Sequence, residues 1–148
     1  MVDRLLRELT MLAELAQSLG EITDLQEVKS LRDRAEAARH YAQNAALGLN
    51  FQNQATELIL RAERRAGELL TLLVKRGGDR KSNSHVESVK LSDLGIDHNQ
   101  SARWQREAAV PDDVFEKYIA ATKRAGKEIT ARELLRLERT SGPKSENE

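Results

Sequence analysis

No proline interrupts the chain before Pro111, and the run up to that point is dense in Leu, Ala, Glu, Arg and Gln. Proline breaks helices because it lacks an amide donor and its ring clashes with the preceding turn. The residues that fill this run are the strongest helix formers. With aromatic residues at only 3 %, the expected class is all-α. The order predicted is an N-terminal helix, an antiparallel helical hairpin, then a C-terminal helix-turn-helix bundle. A length of 148 residues accommodates one domain or two small ones.

Leu5, Leu6, Leu9, Leu12, Leu15, Ala16 and Leu19 recur at helical spacing until Gly20 stops the pattern. One short helix cannot bury so narrow a leucine stripe on itself, so it must pack on a neighbour or on its own copy. Leu5, Leu9, Leu12 and Leu19 are the expected dimer contacts. A second helix is predicted from an N-cap at Thr23 to about Leu47, with Leu25, Val28, Leu31, Ala35, Ala38 and Ala42 inward. A third runs from about Phe51 to Lys75, burying Ala55, Leu58, Ile59, Ala62, Ala66, Leu69, Leu70 and Leu73. The alanines and Gly67 permit close backbone approach, so residues 24–75 read as a tight hairpin. Arg61, Arg64 and Arg65 alternate with Glu57, Glu63 and Glu68, as on a solvated, salt-bridged face.

RGGDRKSNSH, Arg76 to His85, contains no apolar residue and reads as a flexible linker. The expected division is a helical oligomerisation region at 1–75, a basic linker at 76–87, a DNA-binding region at 88–139 and a disordered tail at 140–148. Arg80 and Lys81 either belong to a plain connection or reach phosphates as a basic arm.

The stretch LSDLGIDHNQSARWQREAAVP, Leu91 to Pro111, carries the functional signal. A helix-turn-helix needs a tight corner, which Gly95 permits, and an apolar plug behind it, which Ile96 supplies. Asp97 is placed to cap the second helix and Trp104 to anchor its inner face. The outward face then shows His98, Asn99, Ala102, Arg103 and Arg106, with Gln100 and Gln105 towards its edges. Asn and Gln pair bidentately with adenine and Arg with guanine, so this set suits a major groove. Beyond Pro111, Asp112 and Asp113 favour the positive end of a helix whose buried face is Val114, Phe115, Tyr118 and Ile119. Thr130 and Glu133 form a capping box that opens the last helix.

Gly95-Ile96-Asp97, Arg103-Trp104 and Val110-Pro111-Asp112-Asp113-Val114 resemble the helix-turn-helix of the ParB/Noc/KorB partition family. Ile129 to Leu135 resembles the helix that follows it there. The resemblance covers residues 88–137 and implies sequence-specific DNA binding. It does not extend to the nucleotide-binding domain of that family, so nothing about nucleotide hydrolysis or sliding carries over. The longer stretch from Asp24 to Leu137, with RAERRAGELL and LGI followed by QSARWQ, is similar to phage- and mobile-element-borne proteins.

Lysine plus arginine equal aspartate plus glutamate, at 24 each, which argues against a protein that coats DNA by charge alone. The balance shifts along the chain: residues 1–72 hold 9 bases and 11 acids, residues 73–148 hold 15 and 13. No cysteine is present, which fits a reducing compartment. Neither a transmembrane run nor a signal peptide is visible, and the expected location is cytoplasmic. His40, His85 and His98 lack metal-ligand spacing, and GGDRKS is too short for a phosphate loop. No enzyme, metal or cofactor is expected. The residues and the resemblance together predict a double-stranded DNA-binding protein of phage or plasmid type, either a transcriptional regulator or partition-like, acting as a homodimer or higher homo-oligomer. His98, Asn99, Gln100 and Arg103 would read bases, while Arg106, Lys90, Arg80 and Lys81 neutralise phosphates. The alternative is a helical adaptor that binds a protein partner through residues 1–75.

Overall fold

The computed structural model describes residues 2–77 and 91–140. Helix α1 spans Val2–Ala16, α2 Leu25–Asn44, α3 Leu49–Gly77, α4 His98–Ala108, α5 Asp112–Arg124 and α6 Ala131–Thr140. A 3-10 turn at Leu19–Glu21 joins α1 to α2, and a final helical turn at residues 91–93 precedes the Gly95 corner. No strand occurs among the described residues, and the fold is all-α. None of the described helices is long and apolar enough to cross a membrane.

The stripe of α1 finds its partner inside the same chain. Leu12 is fully buried and Leu5, Leu9 and Leu19 nearly so, in one cluster with the apolar residues of α2 and α3. These four side chains are not available to a second copy. That corrects the expectation that they form a dimer seam. The physical reason is the short link through Leu19–Glu21, which returns the chain at once to lay α2 beside α1.

Asp24 rather than Thr23 caps α2, its carboxylate accepting from the Gln26 amide at 3.0 Å. At the other end Ala46 adopts the left-handed conformation, φ 56°. The Leu47 amide then donates back to the Ala42 carbonyl at 2.9 Å. So short a reversal makes α2 and α3 antiparallel, and their buried alanines (Ala35, Ala38 and Ala42 against Ala55, Ala62 and Ala66) let the helices close up.

Helix α3 is the axis of the molecule, because it is buried on more than one side. Ala55, Leu58, Ile59, Ala62, Ala66 and Leu69 join the cluster with α1 and α2. A second row begins at Leu60, which packs with Val110, Phe115, Ile119, Ile129 and Leu134. Glu63 and Arg64 lie along that row and are only 2 % and 8 % exposed. The expected solvated face is therefore corrected: α4 and α5 cover it. Arg61 keeps its pair with Glu57 and adds a bidentate bond to Glu116 of α5 at 2.8 and 2.9 Å.

Ile96 and Trp104 sit in one cluster with the leucines of α1, and Leu60 of α3 sits in the other. Buried Asn53 of α3 adds a polar tie, donating to the Lys127 carbonyl at 2.8 Å and accepting from the Ile129 amide at 3.0 Å. The described residues of 1–75 and of 88–139 contribute to the same two clusters. Most of the expected linker and all but the first residue of the expected tail lie outside the described residues.

Candidate nucleic-acid interface

The corner before α4 is built as the local sequence requires. Gly95 has φ 77°, which a glycine adopts without steric cost. Its amide donates to Ser92 at 3.0 Å and the Ile96 amide to Leu91 at 2.9 Å, closing the preceding turn. Ile96 plugs the angle, 3 % exposed. Asp97 accepts from the Gln100 amide at 2.7 Å while Gln100 Oε1 accepts from the Asp97 amide at 3.2 Å, a reciprocal capping box.

The inner face of α4 presents Ser101, Trp104 and Glu107, all buried. Three residues of α3 hold it. A Cβ on Gly67 would lie 2.0 Å from the Trp104 carbonyl oxygen, so the two backbones touch at a point where only hydrogen fits. Gly67 thus serves the crossing with α4 and not the hairpin with α2. Arg64 donates from Nη1 to the Glu107 and Val110 carbonyls at 2.9 and 2.8 Å, capping the C-terminal end of α4. It also pairs with Asp112 and stacks 4.4 Å from the Phe115 ring centre.

The third holding residue is Glu63. It accepts from Arg32 of α2 at 2.8 Å and lies 3.5 Å from Arg103 of α4. Glu107, fully buried, is 3.4 Å from Arg103, and Arg32 sits 5.5 Å from the Trp104 ring centre. Neither Glu107 oxygen has a hydrogen-bond partner, nor does Arg103 Nε or Trp104 Nε1. Burial first, and then the charge of neighbouring Glu63, push the Glu107 carboxyl up to about 9. Near neutrality it is therefore a neutral acid. Ionised, it would be a buried charge without a hydrogen-bond donor, which is the costly arrangement.

The outer face is open. His98, Asn99, Ala102 and Arg106 are exposed and share one stripe of α4. Gln100 is half-buried, with its carbonyl committed to the cap. Arg103 departs from the sequence reading: it leans across the flank of α4 onto Glu63 and Glu107. Its guanidinium lies 3.5 Å from Glu63 and 3.4 Å from Glu107, while its side chain stays 42 % exposed. Arg80, Lys81 and Lys90 lie outside the described residues. Among the described residues no group of three or more His, Asp or Glu side chains is arranged to hold a metal ion.

Sequence reasoning left Glu63 and Arg64 on a solvated face and passed over Glu107 and Arg32. A signal for Arg64 was present, since Leu60, Arg64, Gly67 and Thr71 follow helical spacing as a second row on α3. The glycine in that row marks the close approach. Comparison of the chain with family models, with curated proteins and with solved structures returned no match.

Proposed function

We propose that the chain binds double-stranded DNA in a sequence-specific manner, entering the major groove with α4. One observation carries this reading. The inner face of α4 is locked on α3 while its outer stripe of His98, Asn99, Ala102 and Arg106 stays open. A helix anchored so firmly can discriminate bases, because its polar side chains start from fixed positions. Asn99 has the chemistry for the adenine edge, Ala102 leaves room for a thymine methyl, and Arg106 suits guanine or a phosphate. Arg103 acts indirectly, tying α4 to Glu63 of α3. Lys90, Arg80 and Lys81 remain phosphate contacts on the strength of sequence alone. A regulatory or partition-like role in a phage or plasmid setting is the biological context that fits such a protein.

Selection of bound duplexes from a random pool tests this on the full chain. Enrichment of one sequence, lost on substitution of Asn99 by Ala, is expected. A pool that emerges unenriched at low salt would overturn the reading.

A further inference from the structure

Among the described residues, four of the five exposed large apolar side chains belong to the first two helices: Leu6, Met11 and Leu15 on α1 and Tyr41 on α2, each 38–44 % exposed. Leu6, Met11 and Tyr41 border an open groove of about 1040 Å³ along α1 and α2, whose lining also includes Arg4, Arg7 and Glu14. Arg7 and Glu14 stand on the side of α1 turned away from buried Leu9 and Leu12, with Met11 beside them. The core does not need it, and an apolar face of that kind marks an interaction surface.

The charges on the face say what covers it. Arg4 and Arg7 occupy the N-terminal half of α1 and Glu14 the C-terminal half. None of the three forms an ion pair among the described residues, whereas Glu8 is already held by Arg34 of α2 at 3.2 Å. Such a face complements itself when it meets a copy running the other way. One antiparallel register sets Arg7 against Glu14 of the partner and Met11 beside its Thr10. A parallel arrangement would set like charges together. Helix dipoles also favour the antiparallel choice.

We infer that this groove is the interface between two copies of the chain, joined by antiparallel pairing of their α1 helices across a two-fold axis. The same patch then serves both copies, as a symmetric dimer requires. The inference stands apart from DNA binding, since no residue of α4 enters it.

Sedimentation equilibrium from low micromolar to submillimolar concentration tests it, with thermal melts confirming that each variant folds. The parent chain is expected to approach twice its monomer mass. Arg7→Glu alone and Glu14→Arg alone should each weaken association about tenfold or more, because like charges then face one another. Mixing the two variants should restore the dimer, since each supplies the charge the other lacks. Met11→Lys should give a folded monomer that no mixing rescues. A parent chain monomeric throughout would assign the groove to a different partner and overturn the inference. So would single charge reversals that dimerise like the parent, or a mixture that stays monomeric.

Discussion

Ala46 and Glu107 are two residues whose environments oppose their chemistry. Ala46 holds φ 56°, a conformation that brings Cβ close to the following carbonyl oxygen and costs a residue other than glycine about 1–2 kcal/mol. Ala46→Gly should relieve that strain and, after the added chain entropy of glycine, stabilise by about 1 kcal/mol. Urea denaturation measures it, and a lowered midpoint would contradict it. Glu107 binds its proton more tightly folded than unfolded, because its carboxyl is raised from near 4.5 to about 9. Folding therefore takes up a proton in that interval, and stability falls as pH rises through it, by about 1.4 kcal/mol per pH unit for one proton. Glu107→Gln keeps the shape and removes the titration. Its melting temperature should exceed the parent's most at the alkaline end of the interval, and the gap should close towards the acid end. A gap independent of pH would show that Glu107 is not the titrating group.

Among the helices, the contact that matters most is the crossing of α3 and α4 at Gly67. Its Cβ position coincides with backbone of α4, and a main chain held at both ends by a capping box and by Arg64 cannot step aside cheaply. Gly67→Ala should cost about 3 kcal/mol. It should also shift the fluorescence of Trp104, the single tryptophan, to longer wavelength as α4 lifts. An unchanged spectrum and melting temperature would mean that the crossing is loose. How legible these elements were depended on range. Gly95, Ile96, Asp97 and Trp104 act within a few residues of one another, so their spacing announced the corner, plug, cap and anchor that the structure contains. Glu63 and Arg64 carry the alternating charges of a solvated face, and only the return of α4 and α5, dozens of residues later, buries them. The leucines of α1 told the same kind of half-story. Their stripe announced a helix with one buried side but not whether the cover came from this chain or another.

At the scale of the whole molecule, one helix organises everything. Because α3 contributes to both clusters, α4 is carried on a core that extends back to α1 and does not swing on a tether. The chain is neutral overall, so any affinity for DNA must come from the local set on and around α4 and not from a charged surface. The most direct measurement is duplex binding as a function of salt for the parent, Asn99→Ala and Arg106→Ala, on a selected sequence and a scrambled one. For the parent, affinity for the selected duplex should fall steeply with salt. Asn99→Ala should lose about 1–3 kcal/mol on the selected duplex alone and keep the parent's slope, while Arg106→Ala, if it meets a phosphate, should lower the slope by about 1 on both. A parent chain with no measurable affinity for duplex at low salt, or an Asn99→Ala variant that binds both duplexes as the parent does, would contradict groove reading by α4.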